Sequence, residues 1–309
     1  MIEHLLTVTN QVFILFIMIL VGFIALKTKL IKKEHIRSMT NFVLFIVTPC
    51  VIIESFQRPF DKDMLSLLSI ACITAIIIHT VSIFLVQFLI HDKDKSRECV
   101  LRFSSIFCNC GYMALPLQSA ILGPDGVFLG AAYVAVFNLF SWTYGIYLMG
   151  DSAEKISLKR LVINPGIIGV SLGLIFFLFQ IEIPRIPLTV IHSFANLNTP
   201  LPMVIIGCYL ADIVSLKVLK DKKMILSIFL RIIFIPLAAL FVMHLFHFSG
   251  RLYISLVISA ASPVAANTAM YASLFNRDTT LASSTVSIST LFSILTMPVI
   301  VSLALYLSN

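Results

Sequence analysis

Long apolar runs, separated by short clusters of charged residues or by Pro and Gly, follow one another along the whole chain. The runs are continuous and do not alternate with polar positions, and a helix needs about 20 apolar residues to cross the hydrocarbon core of a bilayer. The pattern therefore predicts ten membrane-spanning helices, called spans 1 to 10, at residues 10–26, 38–54, 64–90, 99–122, 126–149, 162–181, 188–212, 224–246, 252–274 and 280–307.

Composition supports the same class of protein. Of the 309 residues 59% are apolar and only 12% are charged, and the mean hydropathy is +1.01. A soluble domain carries about twice that fraction of charged residues. We therefore predict an all-α integral membrane protein without a soluble domain, and not a soluble enzyme or a disordered regulator.

The basic residues predict how the spans are oriented. Loops that follow odd-numbered spans hold seventeen Lys and Arg, and the opposite loops hold four. Because Lys and Arg are retained on the cytoplasmic side, both termini are expected outside, in the plasma (inner) membrane of a bacterium. The net charge of +7 then needs no nucleic-acid partner, although the loops are expected to contact anionic lipid. Arg231, inside span 8, is expected to snorkel to the cytoplasmic interface.

Five spans precede the central cytoplasmic loop and five follow it, so the second half enters the membrane from the opposite side. The sequence thus predicts two inverted five-helix repeats, residues 1–149 and 162–309, joined by a linker at 150–161. Spans 2 and 7 carry prolines in similar apolar contexts, at Pro49 and at Pro200 and Pro202. Inverted repeats with paired discontinuous helices indicate a secondary transporter whose site lies where the breaks meet.

Span 4 contains the first predicted break. Asn109 lies about 15 Å into the span, close to the bilayer midplane, and is followed by Cys110 and Gly111. Gly111 permits unwinding, and Pro116 removes an amide donor and disturbs the preceding turn. Backbone groups freed in hydrocarbon are tolerated only beside protein or a wet cavity, so the break predicts a cavity.

Span 9 contains the second predicted break, at Pro263, with Ser262, Asn267 and Thr268 at a similar depth. Two crossing pairs of half-helices would direct amide donors and the positive ends of helix dipoles toward one point. Such a point suits a carboxylate. We therefore predict a substrate site formed by Asn109, Cys110, Gly111, Ser262, Asn267 and Thr268, although a simple proline kink in each helix is the competing interpretation.

Two further polar residues in spans 5 and 3 are weaker candidates. Asn138 is expected either to line the same cavity or to form a hydrogen bond between helices. His79 is expected either to carry a coupling proton or to be a packing residue. The six cysteines show no spacing typical of a metal site, and no motif for ATP hydrolysis or proteolysis occurs, so we expect no metal, no cofactor and no enzymatic activity.

Several short motifs, in this order and spacing, resemble those of the auxin efflux carrier family in its bacterial branch. They are residues 41–49, 109–117, Asn164-Pro165-Gly166, 201–207, Ser262-Pro263 and 289–293 with Pro298. The resemblance implies a homodimer in which spans 1, 2, 6 and 7 form a scaffold. Spans 3–5 and 8–10 would form a moving transport domain, with spans 4 and 9 crossing at Pro116 and Pro263.

The resemblance also implies small organic anions as substrates, either auxin-like acids or dicarboxylates such as malate and malonate, with Asn109 contacting the carboxylate. The expected function is an elevator-type carrier working by export or by proton-coupled uptake. Two alternatives stay open: a sodium-coupled organic-anion carrier like the bile-acid symporters, and a non-transporting membrane sensor whose cytoplasmic loops recruit a partner.

Overall fold

The structure is a computed structural model that describes residues 2–150, 165–211 and 220–308, with the side chains of the first helix described from residue 9. Most of the linker predicted at 150–161, and Asn164 of the family motif, lie outside the described residues. Where the chain is described it is helical, and its one contact of the β type is an isolated antiparallel bridge between Cys108 and Val264.

Twelve helical segments make up the described part of the chain. They are α1 (Ile2–Lys27), α2 (Lys33–Phe56), α3 (Lys62–Leu89), α4 (Lys95–Ile106), α5 (Cys110–Leu122), α6 (Pro124–Met149), α7 (Pro165–Leu178), α8 (Arg185–Ala211), α9 (Lys222–Leu245), α10 (Gly250–Ala261), α11 (Asn267–Leu274) and α12 (Thr279–Leu307).

Seven of these helices, among the described residues, are long and apolar enough to cross a membrane: α1, α2, α3, α6, α8, α9 and α12. Three shorter apolar helices accompany them, namely α5, α7 and α10. The prediction of an all-helical integral membrane protein is therefore confirmed at this level.

Aspartates begin four of the helices. The side chains of Asp61, Asp94, Asp221 and Asp278 accept hydrogen bonds from amides in the first turns of α3, α4, α9 and α12. A carboxylate at this position satisfies amide donors that have no partner within the helix and interacts favourably with the helix dipole. The short polar sequences between apolar runs thus fix where the long helices start.

Three prolines inside helices follow widened turns. π-helical turns at Val43–Val47 and Leu230–Phe234 come just before Pro49 and Pro236, and a third precedes Pro116, whereas Pro298 lies within the α-helical turns of α12. A proline has no amide hydrogen and its ring collides with the carbonyl one turn earlier, and a widened turn relieves this collision. Because of this adjustment α2 continues through Pro49 without a break.

Glycines bring two pairs of helices unusually close. A Cβ on Gly22 of α1 would lie 2.0 Å from the carbonyl oxygen of Val204 in α8, and one on Gly207 of α8 would lie 1.9 Å from that of Ile19. Similarly α7 packs on α2, where a Cβ on Gly173 would lie 2.8 Å from the ring of Phe56. Small residues at helix contacts are how membrane helices achieve dense packing.

Candidate functional site

Two interrupted helices contact each other in the interior of the protein. The first broken helix consists of α4 and α5, interrupted at residues 107–109, and the second consists of α10 and α11, interrupted at 262–266. The backbone amide of Asn109 donates to the carbonyl of Pro263 at 2.7 Å, and the amide of Ala265 donates to that of Phe107 at 3.0 Å. This contact, the crossing, satisfies backbone groups that the helices leave free.

Side chains satisfy further amides at the crossing. The side-chain oxygen of Asn109 accepts from the amide of Tyr112 at 3.4 Å, at the start of α5. In the second broken helix the amide of Val264 donates to the hydroxyl of Ser289, which α12 contributes, at 3.1 Å. Each interruption is therefore an ordered structure.

A cavity of about 30 Å³ adjoins the crossing. Four parts of the chain supply its walls: α2, the first broken helix, α6 and the second broken helix. The lining residues are Leu44, Thr48, Cys108, Asn109, Gly111, Tyr112, Val134, Phe137, Asn138, Ala265, Ala266 and Asn267. This volume is far below the roughly 300–1,000 Å³ of typical ligand sites, so an organic acid requires the walls to move apart.

The cavity wall carries polar atoms without hydrogen-bond partners. The amide nitrogen Nδ2 of Asn109, the hydroxyl of Tyr112 and the hydroxyl of Thr48 are buried and have no partner among the described residues. None of the lining side chains is charged. Leaving buried polar groups unpaired is costly, so these atoms are candidates for contacting a polar ligand or water.

Helix dipoles give the cavity a positive character. Gly111 and Tyr112 lie in the first turn of α5, and Asn267 is the first residue of α11, so the cavity lies at the N-terminal ends of both second half-helices. The free amides and the dipole at such ends favour negative charge.

Of the predicted substrate residues, Asn109, Gly111, Asn138 and Asn267 line the cavity. The other three are buried but do not line it: Cys110, Ser262 and Thr268. The hydroxyl of Ser262 donates to the carbonyl of Ile258 within its own helix.

The prolines differ in their relation to the breaks. Pro263 lies at the crossing, as its carbonyl accepts from Asn109. Pro116 is the second residue of the regular α-turns in α5, beyond the π-helical turn, so the first interruption lies at 107–109 and not at this proline. Pro200 and Pro202 lie in α8, after a 3₁₀ turn at Asn196–Asn198.

His79 lies apart from the cavity, in the interior of α3. Its Nδ1 is 2.8 Å from the carbonyl oxygen of Ala75, and Nε2 has no hydrogen-bond partner among the described residues. Its ring lies 5.2 Å from that of Tyr133 and 5.3 Å from that of Phe140. The histidine is thus enclosed by aromatic side chains.

Arg231 corrects a prediction. It does not snorkel to the interface: it is 1% exposed and points to the crossing. The guanidinium donates through Nη1 to the carbonyl of Ile106 at 2.9 Å and through Nη2 to the carbonyl of Ala260. These carbonyls lie at the C-terminal ends of α4 and α10, where unpaired oxygens and the negative ends of two dipoles attract a cation more strongly than the interface does.

Sequence reasoning therefore missed the contribution of α2, through Leu44 and Thr48, and the role of Arg231. A signal for the arginine was present, because a charged residue deep in a predicted span is a functional candidate in its own right. Nothing in the linear sequence indicated that α2 would face the breaks. Within the described residues no group of three or more His, Cys, Asp or Glu side chains is arranged to hold a metal ion.

Comparison with known proteins identifies the family. A family model described as "Membrane transport protein" matches residues 7–160 and 154–301. An uncharacterized transporter of Methanocaldococcus jannaschii is 25% identical over 93% of this chain and 95% of its own length. An uncharacterized transporter of Methanothermobacter thermautotrophicus is 23% identical over 94% of this chain and 96% of its own. Both relatives are archaeal, where the sequence analysis expected the bacterial branch. Since the family model matches nearly the whole length, the chain belongs to this family of membrane transport proteins, the auxin efflux carrier family.

Proposed function

We propose that this transporter is a secondary carrier of small organic anions, with the carboxylate bound in the cavity at the crossing. One observation carries the proposal: the cavity wall combines unpartnered donors with the N-termini of two half-helices and holds no acidic side chain. A buried arginine lies on the other side of the crossing. An uncharged or cationic solute would leave this positive potential uncompensated, whereas a carboxylate accepts hydrogen bonds from the free donors.

The architecture we propose is ten spans arranged as two inverted five-helix repeats, residues 1–149 and 162–309. The packing of helices supports it, because exchanging the two halves exchanges one close helix pair for the other. The first and seventh spans, α1 and α8, pack through glycines, and so do the sixth and second, α7 and α2. The two broken helices are the fourth and ninth spans, and each is therefore the fourth span of its repeat.

The mechanism we propose is an elevator-type displacement of spans 3–5 and 8–10 against a scaffold of spans 1, 2, 6 and 7. The cavity is lined by α2 of the proposed scaffold and by α6 and both broken helices of the proposed transport domain. Because about 30 Å³ does not hold an organic acid, movement between these two groups of helices is the way to widen it. The proposal includes the homodimer, formed through the scaffold.

The proposed orientation has both termini outside the plasma membrane. One negative charge moving across about 100 mV is worth roughly 2.3 kcal/mol, so an inside-negative potential favours anion export. Uptake would need a co-transported cation, and His79 is the proposed proton carrier for that case.

Sodium-coupled carriage is the alternative. A sodium ion takes oxygen ligands, and carbonyls at the ends of broken helices supply them in other transporters. Here the carbonyls of Ile106 and Ala260 already accept from Arg231, which speaks against a sodium site at that place. The sensor hypothesis does not need the free donors of Asn109 and Tyr112, whereas the sodium-coupled carrier would use them for its anion and differs from the proposal in its coupling ion.

Counterflow in proteoliposomes tests the proposal. Vesicles preloaded with malonate, malate or propionate should accumulate the same labelled acid transiently and saturably, without added sodium. Asn109→Ala should remove most of this activity, and Asn196→Ala, at an exposed asparagine of α8, should leave it unchanged. Accumulation that requires sodium would favour the alternative, and no counterflow of any carboxylate would contradict the proposal.

A further inference from the structure

Arg231 is a buried charge that the proposed carboxylate does not touch. Its guanidinium is bonded to the last residue of α4 and to the residue before the last of α10. The cavity begins only after both interruptions, and Arg231 is not among the residues that line it. The arginine and the cavity therefore occupy opposite ends of the two interruptions.

No carboxylate neutralises this charge within the described residues. Every Asp or Glu that pairs with a basic residue there lies in a loop or in the first or last turns of a helix, as in Arg97 with Asp221 and Arg58 with Asp125. The oxygen partners of Arg231 are two uncharged backbone carbonyls. Burying a charge that is balanced only by carbonyl oxygens and helix dipoles, without a counter-ion, is expensive, and charged residues inside membrane-spanning segments mark functional sites by default.

The charge is close enough to the cavity to act on its contents. The guanidinium of Arg231 is 2.9 Å from the carbonyl oxygen of Ile106, which is three residues from Asn109. A chain spans at most about 3.6 Å per residue, so the charge lies within roughly 16 Å of Asn109. Over about 10–15 Å at an effective dielectric constant near 20, a unit charge changes the affinity for a monoanion by about tenfold. Water does not screen it, since the side chain is 1% exposed.

We propose that Arg231 determines the charge selectivity of the site: held on the C-terminal ends of α4 and α10, it attracts anions to the N-terminal side of the crossing. The inference rests on the proposed function and deepens it. Arg231 is a positioning and selectivity residue, and the groups that touch the carboxylate are Asn109 and its neighbours. One arginine also bonds both broken helices, so the charge stays with the crossing if the helices move together.

Coulomb attraction to Arg231 grows with the charge of the ligand, so loss of its charge should weaken a dianion more than a monoanion. Loss of a purely structural role would weaken both equally. Propionate and malonate have three carbons each but carry one and two negative charges at pH 7. Binding of both to the purified protein is measured by calorimetry or by thermal stabilisation. Arg231→Met should weaken propionate binding about tenfold and malonate binding about a hundredfold, so the ratio of malonate affinity to propionate affinity should fall about tenfold.

Two other variants separate charge from hydrogen bonding. Arg231→Lys keeps the charge and should bind both acids within about threefold of the unmodified protein. Ser227→Ala, one turn earlier in α9, removes buried hydrogen bonds to the carbonyl of Leu101 and from the hydroxyl of Ser105 but no charge, and should leave the ratio unchanged. A neutral variant that weakens both acids by the same factor, or neither, would overturn the inference.

The inference can be tested even if Arg231→Met does not fold. Arg231→Gln keeps an amide donor for one of the carbonyls and is the second neutral variant. Should neither fold, the unmodified protein is compared with malonate and its uncharged diamide, malonamide, at equal concentration. Stabilisation by malonate alone supports the inference, and equal stabilisation overturns it. If the unmodified protein binds no carboxylate the proposed function fails as well, whereas binding with an unchanged affinity ratio refutes only the role of Arg231.

Discussion

The two broken helices meet at one point, yet their interruptions are satisfied differently. In the first, Asn109 caps the following half-helix with its own side chain and still presents an unpartnered nitrogen in the cavity wall. In the second, Ala266, the residue before α11, provides no side-chain cap, and the hydroxyl that bonds Val264 comes from Ser289 of α12. The first interruption therefore supplies side-chain chemistry, and the second supplies mainly backbone held by a neighbour.

The largest expected effect separates the two asparagines of the cavity wall. Asn109→Ala should weaken carboxylate binding at least tenfold, because a hydrogen bond to a charged group contributes about 1.5–3 kcal/mol. Asn267→Ala should weaken it only a few-fold, since α11 acts through its backbone. Titration of malonate and propionate against both variants measures this, and a larger loss in Asn267→Ala would reverse the comparison.

A bulky side chain at Gly111 should block ligand binding in the cavity beside the first interruption. A Cβ at this position meets no atom within 4 Å, so the protein has room for it at the cavity. Gly111→Ala should fold and transport, whereas Gly111→Leu should fold with nearly the same melting temperature but fill the space that the ligand needs. Counterflow by Gly111→Leu at the normal rate would mean that the ligand enters elsewhere.

Loss of the serine that supports the second interruption should lower stability rather than affinity. Ser289→Ala leaves the buried amide of Val264 without its partner, at a cost of about 1–3 kcal/mol, and the melting temperature should fall by a few degrees. Ser287→Ala is the matched control, because that buried hydroxyl has no hydrogen-bond partner among the described residues. Equal melting temperatures for both variants would show that the Ser289 bond is unimportant.

The smallest expected effect concerns the arginines in the first turns of the two broken helices. Arg97 of α4 pairs with Asp221, with Asp92 at 3.5 Å and with Asp278 at 3.7 Å, whereas the more exposed Arg251 of α10 pairs with Asp125. Ion pairs near the surface contribute about 0.2–1 kcal/mol. Arg97→Ala should therefore lower the melting temperature slightly more than Arg251→Ala.

Acid should remove the difference in stability between Arg97→Ala and the unmodified protein. Partial burial raises the pKa of Asp221, but the hydrogen bonds and charge of Arg97 outweigh it and hold the pKa below its usual value. A depressed carboxyl pKa stabilises the folded state above about pH 4 and loses this contribution as the pH falls further. Melting curves of Arg97→Ala and the unmodified protein should thus differ at pH 7 and converge below about pH 4. A constant difference would contradict the pairing.

The sequence predicted the helices well because their signal is local. Runs of apolar residues and the unwinding expected around Gly111 are both read from neighbouring residues. The positions of the breaks were less accurate: Pro116 was expected at the crossing, but the π-helical turn before it absorbs the proline, and the break lies at 107–109.

The candidate site could be predicted only in part. Asn109 and Asn267, which the sequence places beside the two expected breaks, line the cavity, and their contact with a substrate stays a prediction. Thr48 shares the cavity wall with Asn109, and Arg231 bonds Ile106, 125 positions away, and Ala260, 29 positions away. No local pattern determines which face of α2 or α9 turns toward the breaks. Packing of the whole protein determines that.

The most direct test of the account is a structure determined with bromomalonate bound, since bromine marks the ligand unambiguously. The account predicts the halide signal in the cavity between α2 and the crossing, with a carboxylate oxygen about 3 Å from the side-chain nitrogen of Asn109. A ligand bound away from the crossing, or broken helices that run continuous and leave no free donor beside it, would contradict the account.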